Sequence, residues 1–209
     1  MPDFCTETEE YDMGKRLERD TKTKIARAAW KLFSENGYEQ TTVEDIIEAS
    51  DTSRGSFYHY YEGKDALFGT MSFLFDDEYK KLAENMDEHS NSYEKLLYLN
   101  RGICEVIENR IMVDMLTRMY STQLVTHGEK HLMDRNRVYY RLLRQIIEEG
   151  QQSGELSRRF TVNEIVKAYS MYERGMLYDW CICDAEYSLV AYTEKMMPLF
   201  LRIFLAENE

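Results

Sequence analysis

Apolar residues recur at helical spacing along most of the chain. From Thr21 onward Ile25, Ala28, Ala29, Leu32 and Phe33 fall three and four apart, the stripe of one helix face. Gly37 stands where a helix ends in a left-handed residue. Thr42 precedes a second stripe, Val43, Ile46 and Ile47, with Asp45 three places on. Aspartate is a weaker partner there than glutamate, so this pair predicts only an approximate capping box. Ser50, Asp51, Thr52 and Ser53 form a polar turn, and Asp51 tolerates left-handed backbone better than most residues. Ser53 caps a third short helix, Arg54 to Tyr60.

Longer helices follow. Leu67, Met71, Leu74 and Phe75 predict one from about Lys64 to Asn85, with Gly69 a candidate soft point within it. Leu96, Leu99, Ile103 and Ile107 mark the next, and Met112, Met115, Leu116 and Met119 another. Leu132, Tyr139, Leu142, Leu143, Ile146 and Ile147 mark a long helix that stops near Gly150–Gly154. Thr161 with Glu164 is a full capping box opening a helix through Ile165, Ala168, Tyr169, Tyr172, Met176 and Trp180. The last helix carries Leu189, Tyr192, Met196, Leu199, Phe200 and Ile203, and Pro198 is expected to kink it. Residues 1–20 lack an apolar period and read as a flexible acidic arm.

Composition sharpens the fold class. Two prolines and ten glycines in 209 residues are few for a sandwich or barrel, so the chain is read as all-α. It divides into an arm over 1–20, an N-terminal three-helix helix-turn-helix unit over 21–66 and a larger C-terminal helical unit over 67–209. No signal peptide is expected, and no apolar run is long enough to span a bilayer. Cys5, Cys104, Cys181 and Cys183 are then expected as free thiols in a reducing cytoplasm. The net charge of −12 argues against non-specific binding to nucleic acid or membrane. Residues 21–65 hold eight acids and six bases, so charge alone does not reveal a DNA-binding unit.

The two short helices and their four-residue turn do suggest one. In a helix-turn-helix the second helix enters the major groove with its N-terminal residues leading. Here it reads Arg54-Gly55-Ser56-Phe57-Tyr58-His59-Tyr60. Arg54 suits guanine or phosphate, and Ser56, Tyr58, His59 and Tyr60 carry hydrogen-bonding groups. Gly55 lets the backbone approach a duplex, and Thr52 and Ser53 lead into the helix. Phe57 is expected to point into the core, and Tyr61 as well. Thr42 and Lys64 sit at helix N-termini, where backbone N–H groups favour phosphate.

On these residues the chain resembles the TetR family of transcriptional regulators. Thr41 to Tyr61 is similar to the family signature, and Lys64-Asp65-Ala66-Leu67-Phe68 to the start of its fourth helix. Ala29, Leu32, Phe33, Gly37 and Tyr38 fit upstream. The chain departs at Asp51, where glycine is usual, at Thr52, where an aliphatic residue is usual, and at Glu62-Gly63. The resemblance implies a homodimeric repressor that leaves a double-stranded DNA operator when a small-molecule effector binds. It implies an effector pocket among the middle helices, for which Tyr98, Arg101, Met115, Met119, Tyr140, Arg144, Tyr169, Tyr172 and Glu173 are candidates, each readable singly as ordinary core. It implies dimerisation through the last two helices, with Met176, Trp180, Tyr192, Met196 and Leu199 at the interface.

Other signals point to no second chemistry. His127 and His131 lie four apart, but Gly128 would fray the helix and they read as two solvated histidines, so no metal is expected. Cys181 and Cys183 read as ordinary thiols rather than sensors. No nucleophile–base pair or Gly-rich phosphate loop supports an enzyme, and no cofactor is expected. The rival reading is a ligand-binding helical protein or co-regulator on the same fold that does not itself read DNA.

Overall fold

The structure is a computed structural model in which residues 6–125 and 130–206 are described. Its α-helices are α1 (Thr6–Asn36), α2 (Val43–Ala49), α3 (Arg54–Tyr60), α4 (Met71–Glu84), α5 (Ser92–Arg110), α6 (Val113–Val125), α7 (Val138–Ser153), α8 (Val162–Ile182) and α9 (Leu189–Leu201). An isolated antiparallel bridge joins Leu156 to Leu205. Among the described residues no helix is long and apolar enough to cross a membrane. The chain divides into two compact units, Met1–Phe73 and Leu74–Glu209, with the boundary inside α4.

Two predicted boundaries move. α1 begins at Thr6, well before the apolar stripe at Thr21, so residues 6–20 are helical backbone. The Glu, Lys and Arg content of that stretch favours helix without any apolar stripe. Residues 1–5, Cys5 among them, lie outside the described residues. The helix expected from Lys64 starts instead as a tighter 3₁₀ segment, Lys64–Thr70, which contains Gly69. Thr70 Oγ1 donates to Leu67 O at 2.6 Å, and Trp30 Nε1 donates to Thr70 Oγ1 at 3.0 Å. These bonds fasten the i to i+3 turn to α1.

The core of the first unit is aromatic. Trp30 meets Phe33 and Phe68 edge-on, at 5.3 and 5.8 Å between ring centroids. Ile25, Ala29, Ile46, Phe57 and Leu67 are fully buried around them. Gly37 takes φ 85° at the end of α1, as expected. Tyr61 is buried and its hydroxyl donates to Lys22 O at 3.0 Å.

In the second unit α5 packs along α9, while α8 meets α6, α7 and α9. The Glu155 carboxylate accepts the Ser92 and Tyr93 N–H groups at 2.8 and 3.0 Å, capping α5 from across the fold. Gly150 is required by contact: a Cβ there would lie 2.7 Å from Ser92 Cβ. Thr161 and Glu164 form the full capping box expected of them. α7 starts at Val138, so Leu132 lies in a separate 3₁₀ turn, His131–Met133.

Candidate nucleic-acid interface and internal cavity

The α2–turn–α3 segment is closed by local bonds at every step. Thr42 Oγ1 accepts from Asp45 N at 3.1 Å, and Asp45 Oδ2 accepts from Thr42 N at 2.8 Å. The box is complete, and the Thr42 N–H holds the Asp45 carboxyl below its ordinary pKa. Asp51 takes φ 48°, the left-handed conformation its residue type was expected to allow. Ser50 and Thr52 hydroxyls pair across it at 2.7 Å. Ser53 Oγ then accepts from Ser56 N at 3.0 Å and starts α3.

That geometry fixes which face of α3 turns outward. Phe57 is fully buried, while Arg54, Gly55 and His59 are exposed and Tyr58 retains 46 % of its surface. Tyr60 is half-buried, with its ring 4.7 Å from that of His59. A Cβ on Gly55 would meet only Ser53 Oγ, at 3.7 Å, so among the described residues nothing crowds the backbone at Gly55. Arg54 pairs with Glu44 at 3.0 Å and lies 5.7 Å from the Tyr58 ring centroid. Both partners are exposed, so the pair is worth about 0–1 kcal/mol and an incoming phosphate or base can displace Glu44. Lys64 requires a correction. Its ammonium donates to Tyr38 O at 2.7 Å and Thr41 O at 3.0 Å and sits 4.0 Å from the Tyr38 ring centroid. It clamps the loop between α1 and α2 instead of standing free for phosphate.

The second unit holds a small cavity of about 40 Å³. Phe75, Ile103, Met119 and Leu177 give it apolar walls, and Glu173 and Tyr139 give it polar ones. Glu173 is 5 % exposed and accepts from Asn100 Nδ2 at 2.9 Å and Tyr79 Oη at 3.3 Å. Tyr139 Oη lies near this carboxyl but outside hydrogen-bonding geometry. Thr193 Oγ1 in turn bonds Asn100 Oδ1, so the polar chain reaches α9. Burial pushes the Glu173 carboxyl up, and it pushes the Tyr79 and Tyr139 phenols far up.

A carboxyl whose folded pKa is raised binds its proton more tightly folded than unfolded, so its penalty is absent below about pH 4 and grows as pH rises through the raised value. Glu173→Gln, which stays neutral, should therefore melt above wild type by a margin that widens as the pH is raised from below about 4 towards 8. A margin independent of pH would show that Glu173 titrates normally.

The candidates for the effector site disperse. Met119 and Glu173 line the cavity. Tyr140 and Arg144 line a separate groove between α7 and α8. Met115 is core, and so is Tyr169, whose hydroxyl donates to Leu96 O at 2.9 Å. Arg101 is a surface residue that pairs with Glu105 and Glu194 at 2.9 and 3.0 Å, and Tyr98 is also exposed. Tyr172 stacks on Phe200 at 4.2 Å on the α8–α9 face. Sequence reasoning did not single out Tyr79, Asn100 or Arg137, whose roles depend on partners remote in the chain. Burial raises the pKa of Cys181 and of Cys183, which also has Asp179 beside it, so neither thiol is activated. His127 lies outside the described residues.

α8 and α9 expose an apolar face. Met171, Tyr178 and Ile182 stand out on α8, and Tyr192 and Leu199 on α9, with Ile203 just beyond. Gly175 lies among them, and a Cβ there would meet nothing within 4 Å. Two interface candidates need correction. Trp180 is buried within the chain, its Nε1 donating to Tyr187 O at 2.9 Å, and Met176 is buried beside Thr193. Met196 is half-buried.

Residues 25–71 match the model for bacterial regulatory proteins of the tetR family, and residues 75–203 match that for the C-terminal region of YsiA-like proteins. The HTH-type transcriptional regulator HbdR of Aromatoleum sp. (strain CIB) is 25 % identical over 194 residues, covering 91 % of this chain and 83 % of the relative. The fatty acid metabolism regulator protein of Bacillus subtilis (strain 168) is 22 % identical over 187 residues, covering 89 % and 96 %. The crystal structure of Thermus thermophilus FadR, a transcriptional repressor in complex with lauroyl-CoA, superimposes with a TM-score of 0.65 at 22 % identity, covering 90 % and 97 %.

Proposed function

The chain belongs to the tetR family of bacterial regulatory proteins, and from that premise we propose that it works as a homodimeric repressor whose operator is released when an apolar-chain effector enters the second unit. It is a DNA-binding transcriptional regulator, not an enzyme. The observation that carries the reading is the two-sided α3: Phe57 locks one side into the core while Arg54, Gly55, Tyr58 and His59 face outward. The rival protein that does not read DNA leaves this face, and the family match over residues 25–71, without a purpose. Base contacts are assigned to Arg54, Ser56, Tyr58 and His59, with Tyr60 at their edge. Phosphate contacts are assigned to Thr42 and to the backbone of Thr52, Ser53 and Gly55 leading into α3.

A second copy is the proposed cover for the α8–α9 face. Met171, Tyr178, Ile182, Tyr192, Leu199 and Ile203 form its apolar surface, and Gly175 lets the copies approach closely. A dimer then presents two α3 helices to half-sites about 34–36 Å apart. The effector is proposed to be a fatty acyl thioester of CoA, as lauroyl-CoA is in the complex of the Thermus relative. Apolar walls at Phe75, Ile103 and Met119 suit an acyl chain. At about 40 Å³ the cavity admits a water or two, so binding must spread its walls, and that expansion is the proposed source of the signal to DNA. The site of action is the cytoplasm.

The test of the DNA assignment starts from a duplex selected from a random library by the wild-type protein. Arg54→Ala should lose about 1–3 kcal/mol of specific binding. Unchanged affinity would remove Arg54 from the reading surface.

A further inference from the structure

The groove between α7 and α8 carries mainly cations among its charged lining residues, although the chain is acidic overall. It encloses about 430 Å³, and Arg135, Arg144, Lys167 and Arg174 line it, with Met133 and Met171 among its apolar walls. The chain as a whole carries −12. Its single lining carboxylate is Glu164, whose Oε2 is held by Thr161 N at 2.7 Å and Thr161 Oγ1 at 2.8 Å in the α8 cap. Among the described residues none of the four cations is in an ion pair. Arg144 donates to Arg135 O at 2.8 Å, and Arg174 donates to Tyr140 Oη at 3.2 Å, so neutral oxygens hold both guanidinium groups in place. Gathering four like charges costs repulsion that an anion would relieve. Arg174 also lines the internal cavity, which makes it the shared wall of groove and cavity.

We propose that this groove binds the phosphate-bearing headgroup of the effector, the nucleotide end of an acyl-CoA, while the acyl chain passes Arg174 into the cavity. Planar guanidinium forks match phosphate oxygens in pairs, and Lys167 adds a point charge at the rim. Met133 offers adaptable apolar surface to the heterocycle. The inference rests on reading the second unit as an acyl-thioester site, and its test separates the two ideas.

Three probes are titrated calorimetrically: dodecanoyl-CoA, CoA alone, and the dodecanoyl thioester of N-acetylcysteamine, which has no phosphate. The proteins are wild type and an Arg135→Ala/Lys167→Ala double variant, both exposed positions, with Arg135→Lys as the charge-retaining control. We expect dodecanoyl-CoA to bind the double variant at least about tenfold more weakly. The phosphate-free thioester should bind both within about twofold, and Arg135→Lys should recover part of the loss. Equal affinity of dodecanoyl-CoA for wild type and double variant would overturn the groove assignment and leave the effector class standing. Equal losses for both thioesters would also overturn it, by showing general damage to the site. If wild type binds neither thioester but binds CoA in a manner the double variant weakens, the acyl effector falls and the anion site stands.

Discussion

Phe57→Ala is expected to unfold the first unit and abolish operator binding while the second unit stays folded. α3 is seven residues long, far below the length at which a helix is stable alone. Phe57 is its buried residue, with the ring 5.8 Å from that of Tyr61. Truncation removes the ring and leaves a cavity, at a cost of about 3–5 kcal/mol. A small domain has little more than that in total. The chain's two tryptophans report separately, because Trp30 lies in the first unit and Trp180 in the second. At 25 °C the Trp30 emission should shift to that of a solvated indole, and a Trp30→Phe version of the variant should keep the buried Trp180 spectrum. A native Trp30 spectrum with intact DNA binding would show that α3 is held by something other than Phe57.

Arg137→Ala should be nearly as damaging to the second unit. Arg137 meets the Asp76 carboxylate through two nitrogens, at 3.0 and 3.1 Å, and both side chains are largely buried. Asp76 Oδ2 also accepts the Val138 N–H at 3.3 Å at the start of α7. Removing the guanidinium strands a buried carboxylate, which typically costs about 3–5 kcal/mol. Replacing both charges, as Arg137→Met with Asp76→Leu, should cost much less, about 0.5–2 kcal/mol for the lost cap. Denaturant unfolding of the single and double variants checks this. A single variant within about 1 kcal/mol of wild type would mean that the pair behaves as an exposed one.

The difference between these two sites also explains what could be read from sequence. Around Phe57 every determinant is local: Thr42 with Asp45, Ser53 with Ser56, and Asp51 in the turn all act within four residues. Their spacing therefore predicted caps, turn and buried face together. The Asp76–Arg137 pair and the Tyr79–Glu173–Asn100–Thr193 chain join residues from four helices and the start of a fifth, and no local spacing marks them. Glu173 was legible as a charge at helical spacing with apolar neighbours, but its partners were not. Arg101 had the same pattern and instead lies at the surface, because Glu105 and Glu194 hold it there. Trp180 shows the limit for interfaces. A large apolar residue on a dimerising helix can face its own core, and only burial distinguishes it from Tyr178 two positions earlier.

One measurement tests the central claim most directly: fluorescence anisotropy of the library-selected duplex bound to wild-type protein, titrated with dodecanoyl-CoA at several salt concentrations. Binding should be selective over a scrambled duplex, weaken steeply with salt as phosphate contacts require, and fall away as dodecanoyl-CoA saturates the second unit. Selective DNA binding that persists under calorimetrically saturating dodecanoyl-CoA would contradict a ligand-released repressor, and failure to select any duplex would contradict the DNA reader itself.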